Sequence, residues 1–189
     1  MPHVDSLMPD TKRKRFQRGQ ALAEFAMIFP IVLFVGFGGA EFGFLLQRVA
    51  NIDTYSREAA NTAVRACSEE PPANVSACIQ GVANFIRNRI LVEYPDFNTL
   101  GNVIVSRYEW QNNAVTRTAL GQAGNAAYST RYTTASFIFE NVNLVQEHSV
   151  LVVGEVYYNP PFVTPVAGFF QYFSQTFNLP GALYGTTVL

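Results

Sequence analysis

One long apolar run dominates the N-terminal part of the chain. Residues 21–46 contain only two charged side chains, Glu24 and Glu41, and residues 25–40 contain no polar side chain at all. A helix needs about 20 predominantly apolar residues to cross the hydrocarbon core of a bilayer. An apolar surface on every side also argues against a half-buried helix of a soluble protein. The pattern therefore predicts a transmembrane helix over residues 20–46.

Charge is distributed unevenly on the two sides of this run. Residues 1–18 hold five basic and two acidic side chains, net +3, whereas residues 19–189 hold eight arginines, no lysine and twelve acidic side chains, net −4. An excess of Lys and Arg marks the cytoplasmic side of a membrane span. We therefore predict a basic cytoplasmic leader over residues 1–19 and an extracytoplasmic α+β domain over residues 47–189.

Two other interpretations of the N-terminal region are considered. The small residues Gly38, Gly39 and Ala40 offer a cleavage site for a secretory signal peptide, although the apolar character continues through Leu46. A short basic run can also bind nucleic acid. Because the rest of the chain is net acidic, it would repel phosphate groups, and we expect no nucleic-acid partner.

The helical pattern continues past the apolar run to about Cys67. Six apolar residues recur at spacings of three, four or seven: Leu45, Val49, Ile52, Ala59, Ala63 and Ala66. Alanine-rich helix faces permit close packing, so we expect this half of the helix to lie on a flat surface such as a sheet.

The remainder of the chain predicts a mixed domain. Residues 77–92 have the spacing of a second amphipathic helix, and residues 111–130 are polar and glycine-rich, which indicates a loop or hairpin. Runs rich in β-branched and aromatic residues predict strands over residues 102–110, 131–139 and 149–158. Residues 166–177 place four phenylalanines at helical spacing, which predicts a short helix that covers the sheet or docks a partner. The predicted class is α+β: a long N-terminal helix with a transmembrane and an amphipathic half, a second helix, and a small antiparallel sheet of three or four strands.

The two cysteines, Cys67 and Cys78, bracket a turn-forming stretch with two prolines. A disulfide between them would close a short loop and stabilise the fold by about 2–3 kcal/mol. The alternatives, a redox pair or a metal site, lack the spacing and the further ligands. His3 and His148 are the only histidines, and no nucleophile, phosphate-binding or zinc-protease motif occurs in the sequence. We therefore expect a structural disulfide, no cofactor and no enzymatic activity.

Small residues cluster in the second half of the apolar run. Gly36, Gly39, Ala40 and Gly43 include two pairs spaced four apart, which is a spacing that permits close contact between helices in lipid. A loosely wound, flexible stretch is the alternative interpretation of the same residues.

The residues at the start of the span form a motif. A basic run ends at Arg18, and Gly19 is followed after four residues by Glu24 and then by Phe25. This arrangement resembles the prepilin peptidase site of type IV pilin-like proteins. Residues 18–67 as a whole resemble the TadE-like family of tight-adherence (Tad/Flp) pilus proteins. Besides the motif, the resemblance rests on Gly39-Ala40-Glu41-Phe42-Gly43 and Arg57-Glu58-Ala59-Ala60.

The resemblance implies a minor pilin or pseudopilin of a bacterial inner membrane. Its implied partners are the lipid bilayer, other pilin-like subunits, the pilus assembly platform and a prepilin peptidase. The peptidase would cut between Gly19 and Gln20 on the cytoplasmic face, so that Glu24 becomes the fifth residue of the mature chain. The alternatives are a pseudopilin of another secretion system and a single-span anchored, or secreted, binding domain.

Glu24 has a chemical role that does not depend on the resemblance. Cleavage would create an α-ammonium group at Gln20, and the Glu24 carboxylate of one subunit could pair with the ammonium group of a neighbour. Because an isolated charge is costly in low dielectric and a paired one is tolerated, such a pair would set the register between helices. The alternative is that Glu24 extends to the membrane interface. Glu41 lies 17 residues later, about 26 Å along a helix, and is expected at the opposite boundary of the span.

Overall fold

The computed structural model describes residues 10–111, 114–132, 150–161 and 182–189. Over these ranges the chain forms three helices and four strands. They are α1 (Asp10–Cys67), α2 (Pro72–Glu93), α3 (Phe97–Leu100), β1 (Gly101–Gln111), β2 (Ala114–Gly124), β3 (Val150–Tyr158) and β4 (Leu183–Val188). The predicted α+β class is confirmed.

The described residues divide into two compact units. The N-terminal unit contains residues 10–44, and the sheet unit contains the described residues from 45 onward. The first unit consists of one helical segment, whereas the second contains α2, α3 and the whole described sheet.

The four described strands form one antiparallel sheet in the order β2-β1-β3-β4. β1 and β2 form a hairpin in which Asn102 pairs with Gly124, and the register shifts between Arg107 and Tyr108. β3 pairs with the other side of β1, and β4 pairs with β3. Because every neighbouring pair is antiparallel, the two edge strands β2 and β4 run in opposite directions.

The second half of α1 packs on β3 and β4 at positions that have no side chain. A Cβ on Gly154 of β3 would collide with the carbonyl oxygen of Ser56 and would lie 2.9 Å from the nitrogen of Ala60. A Cβ on Gly185 of β4 would lie 2.8 Å from the carbonyl oxygen of Ile52. The backbones of helix and sheet therefore touch directly, and the prediction that this half of the helix lies on a sheet is confirmed.

The buried stripe of α1 differs in part from the predicted one. Its buried members are Ile52, Ser56, Ala59, Ala60, Ala63 and Cys67. Of the predicted members, Leu45, Val49 and Ala66 are exposed instead. Contact with the sheet selects small side chains, including a serine, and hydrophobicity alone does not identify these positions.

α2 covers the part of the same sheet face that lies over β2. Its buried residues are Val75, Ile79, Val82, Ala83, Ile86 and Ile90. A glycine again allows the helix to approach the strand closely, since a Cβ on Gly121 of β2 would lie 2.6 Å from the carbonyl oxygen of Ile79. The helix begins at Pro72, earlier than predicted, because proline is compatible with the first helical position.

The strand predictions need corrections. The hairpin alternative for residues 111–130 is correct, although the sequence does not identify β2 as a strand, and β4 is not predicted at all. Arg131 and Tyr132 do not belong to a strand, contrary to the prediction for residues 131–139. Residues 133–139 lie outside the described residues, as does the helix predicted over residues 166–177. Small residues hide both missed strands, because Gly121 and Gly185 face the helices.

We predict that Gly154→Ala destabilises the sheet unit by about 1–3 kcal/mol, since an added methyl group forces helix and strand apart. Chemical denaturation of the full chain in detergent, followed by near-ultraviolet circular dichroism, measures this change. Gly81→Ala is the matched control. No atom lies within 4 Å of the added Cβ at this exposed α2 position, so helix propensity should leave stability unchanged or raise it by up to about 1 kcal/mol. Equal effects of the two substitutions would contradict the direct backbone contact.

Candidate functional site

The N-terminal unit presents an apolar helix surface on all sides. Residues 22–37 are all exposed on the single chain. The helix segment that starts at Leu22 is long and apolar enough to cross a membrane, and none of its most apolar 18 residues is buried. Proteins that remain in water rarely expose a continuous apolar patch of more than a few hundred Å². The segment therefore fits a membrane anchor.

The residues of the predicted processing motif lie inside α1. The helical backbone runs through Gly19 and Gln20. Glu24 and Phe25 are exposed, and the ring of Phe25 stacks on that of Phe29 with the centroids 5.2 Å apart. Residues four apart on a helix share a face. The helical backbone thus places Gln20, which cleavage would make the first residue, one turn before Glu24.

The four small residues of the span line an open surface. A Cβ added to Gly36, Gly39 or Gly43 would meet no atom within 4 Å, and Ala40 is exposed. Gly36, Ala40 and Gly43 share one face, because spacings of three and four residues bring side chains to the same side of a helix. The described residues place no other helix against this face, so its role in helix packing stays a prediction.

Glu41 differs from Glu24 in its environment. Glu41 is buried, with only 6% of its surface exposed. Glu24, like all of residues 22–37, is exposed. The sequence places Glu41 at the boundary of the span but gives no sign of its burial, because burial depends on residues distant in the chain.

The expected disulfide joins Cys67, the last residue of α1, to Cys78 in α2, with a Cα–Cα distance of 5.8 Å. Cys67 is buried in the core. The bond ties the end of one helix to the second turn of the next, and closing a loop of this length contributes about 3 kcal/mol.

A polar cluster joins α1 to the C-terminal end of α2, the end opposite to the disulfide. The Nδ2 of Asn51 donates to Glu93 Oε1 at 2.6 Å and to the Tyr94 hydroxyl at 2.9 Å. The hydroxyl of Tyr55 donates to Glu93 Oε2 at 2.8 Å. Burial, together with the hydrogen bond to Glu93, raises the pKa of Tyr55 to about 12. α1 and α2 are thus antiparallel, and α2 is held to α1 at both of its own ends.

The stretch Arg57-Glu58-Ala59-Ala60 acquires a structural explanation. Glu58 forms an ion pair with Arg89 of α2, and Arg57 pairs with Asp53 one turn earlier at 2.9 Å. The two alanines that follow are fully buried against the sheet. The stretch therefore combines contacts to α2 with contacts to β3, which the sequence pattern alone does not show.

Sequence reasoning missed a buried carboxylate, Glu155 of β3. The side chain is 0% exposed and accepts hydrogen bonds from the Thr130 hydroxyl, the Arg131 N–H at 3.0 Å, the Tyr157 hydroxyl at 3.1 Å and the Tyr184 hydroxyl at 2.9 Å. Glutamate is almost never fully buried unless it has such partners. The available signal was a single acid within the apolar strand sequence of residues 150–158.

Glu155 fixes a segment without regular structure, residues 125–132, across the sheet face opposite the helices. Asn102 Nδ2 donates to the carbonyl oxygen of Tyr128 at 3.1 Å, and the Tyr108 hydroxyl donates to that of Tyr132 at 2.7 Å. The Arg131 guanidinium lies 4.1 Å from the centroid of the Tyr184 ring. The segment thus crosses from β1 to β4 and contacts side chains of both strands.

Residues 19–61 match the model of a family described as TadE-like protein. The match spans less than a quarter of the chain and stays within α1. No curated protein and no solved structure matches the chain. The resemblance predicted from the motif is confirmed: α1 carries a TadE-like segment, which relates the chain to proteins of Tad pili.

We predict that the sheet unit is stable through neutral pH and unfolds steeply above about pH 11. Burial raises the pKa of six tyrosines: Tyr55, Tyr94, Tyr108, Tyr157, Tyr158 and Tyr184. A raised pKa of a neutral acid contributes stability that is fully present below the unfolded value of about 10 and is lost as the pH rises through the folded value.

The titration is interpretable because few other groups interfere. Residues 20–189 contain no lysine, and both cysteines are in the disulfide. Tyrosinate absorbance and circular dichroism of the full chain in detergent should change together. A gradual tyrosine titration near pH 10, complete before any loss of circular dichroism, would contradict the burial of these hydroxyls. Tyr55→Phe should reduce the steepness of the transition.

Proposed function

We propose, from the TadE-like segment carried by α1, that the protein is a membrane-anchored minor pilin or pseudopilin. Its role is structural and lies in the assembly of a Tad-type pilus or a related secretion filament. The observation that carries the proposal is one helix with two kinds of surface. Its exposed apolar part fits lipid and neighbouring helices, and its last 23 residues, 45–67, belong to a folded sheet unit.

Processing by a prepilin peptidase between Gly19 and Gln20 is part of the proposal. It is supported by the basic leader, the glycine, and the acidic and aromatic residues at Glu24 and Phe25. Cleavage would leave an α-ammonium group at Gln20. In a bundle of parallel subunits, this cation and the Glu24 carboxylate of a neighbour would compensate each other in low dielectric. The pair would fix the axial position of each incoming subunit.

The orientation follows from the charge distribution. The basic residues before the span favour a cytoplasmic N-terminus, and we infer from this that the sheet unit lies on the other side of the inner membrane. The disulfide supports this orientation, because disulfides persist in oxidising compartments and are rare in the cytosol. The implied partners are the bilayer, other pilin-like subunits and the assembly platform.

Intact-mass measurement of the chain coexpressed with a prepilin peptidase tests the processing step. We expect the mass to fall by that of residues 1–19. Gly19→Val should prevent the loss, because a bulky side chain at the scissile residue does not fit a site built for glycine, and Gly81→Ala should be processed normally. Removal of 40 residues would instead identify a secreted domain, and an unprocessed chain would identify a simple anchor.

Glu24→Gln tests the assembly role of the carboxylate. The substitution keeps the size of the side chain and removes its charge, so we expect normal membrane insertion but at least about tenfold less incorporation into filaments or subunit complexes. Carbonate extraction measures insertion, and copurification with tagged subunits measures incorporation. Met27→Leu, one turn away, is the control. Full incorporation of the Glu24→Gln chain would remove the proposed role of this residue.

A further inference from the structure

The two edges of the sheet differ in how their main-chain groups are satisfied. At the β2 edge, the Nε2 of Gln80 in α2 donates to the carbonyl oxygen of Gln122 at 2.8 Å. The N–H of Gln122 donates to the Oε1 of Gln80 at 3.2 Å. A neighbouring antiparallel strand would make the same two bonds with a residue of β2. The side chain of Gln80 therefore occupies the position of an additional strand.

The β4 edge has no such cover among the described residues. Leu189 exchanges two main-chain hydrogen bonds with Val152 of β3, at 2.8 and 2.9 Å. In an antiparallel ladder, alternate residues point toward and away from the partner strand. The main-chain groups of Tyr184, Thr186 and Val188 consequently point away from β3, and none of them bonds to another main-chain group of the described residues.

Within the described residues, β4 itself also carries none of the usual protection against strand addition. Proteins protect edge strands with charged side chains, prolines or bulges. Residues 183–189 contain neither a charge nor a proline. β4 is at the same time held rigidly, by α1 at Gly185 and by the bond between the Tyr184 hydroxyl and Glu155. An ordered, uncharged edge is a template for a further strand.

Strand direction determines which edge strand of a second copy can pair with β4. Gly185 of β4 lies against Ile52, and the Thr187 hydroxyl lies 3.2 Å from that of Ser56, so α1 runs along β4 in the same direction. Antiparallel pairing of β4 with β4 would therefore require a second copy with α1 inverted. β2 runs opposite to β4. Among antiparallel edge pairings, only β4 with β2 keeps α1 of both copies in one direction.

We propose that Gln80 is a gatekeeper that prevents β4 of one copy from adding to β2 of the next copy in the same membrane. The inference rests on the proposed function in one respect, namely that all copies are anchored with the same orientation. Removal of the Gln80 amide frees the main chain of Gln122. Copies concentrated in one membrane then form oligomers larger than dimers, because a heterologous contact leaves one free edge on each added copy.

Crosslinking of the full chain in proteoliposomes tests the proposal. Leu120→Cys and Thr186→Cys place one thiol at each edge, and a mild oxidant joins copies whose edges pair. In this background, Gln80→Ala and Gln80→Ser should both raise the yield of crosslinked oligomers by roughly tenfold, about the effect of two neutral hydrogen bonds. Asn84→Ala, one turn further along α2, is the matched control and should leave the yield unchanged.

The outcomes distinguish the proposed role of Gln80 from the assumption that all copies are anchored in the same orientation. Equal yields with and without Gln80 in chains whose near-ultraviolet circular dichroism is unchanged would show that α2 itself closes the edge, and the proposal would be wrong. Efficient dimers from Thr186→Cys alone would show inverted copies. That result would overturn both the proposal and the shared orientation on which it rests, whereas processing after Gly19 would be unaffected.

Discussion

Direct contact between the backbone of α1 and the backbones of β3 and β4 is the constraint on which the sheet unit depends. Glycines on the strands and small residues on the helix allow the two backbones to touch. Any side chain at Gly154 or Gly185 would collide with the backbone of α1. The rest of the arrangement follows from it. α2 must lie beside α1 over β1 and β2, and the disulfide can then join the end of one helix to the start of the other. The apolar area that α1 removes from water is modest per residue, since Ala59, Ala60 and Ala63 form half of its buried stripe. Close packing and the covalent bond compensate for this.

The two halves of α1 have different surroundings, and the pattern of apolar and polar residues changes at the boundary between them. Over residues 21–46 nearly every side chain is apolar, so any side of the helix can face lipid. After Leu46, only one stripe is apolar, and polar residues such as Asn51 and Tyr55 contact α2. A continuous helix requires no turn at this transition, and its main-chain groups bond within the helix except at Pro30, which has no N–H to donate. That property is required within a bilayer, where water cannot satisfy a broken pair.

The sequence predicted the features that depend on local pattern. The helix end at Cys67, the second helix and the strands β1 and β3 all follow from spacing and residue type. β2 and β4 were not identified as strands because Gly121 and Gly185 face the helices, and glycine elsewhere indicates turns. Hydrophobicity likewise misplaced part of the α1 stripe, since the sheet selects Ser56 and excludes Val49. These failures share one cause. Close packing between elements favours the absence of a side chain, and an absent side chain leaves little signal of its partner in the sequence.

Glu155 is a charged residue buried within an apolar strand, so its burial could not be predicted from the hydrophobic pattern. Its carboxylate would be strongly destabilising in the sheet if it were alone, because an unpaired buried charge costs several kcal/mol. Four donors surround it, and two of them belong to residues 130 and 131, which have no regular structure. The carboxylate therefore needs this segment, which is also bonded to the sheet by Asn102 and Tyr108. Removing either would leave the other unsatisfied. A polar group that satisfies its partners only in one arrangement specifies that arrangement, whereas apolar contacts along the same face would tolerate several.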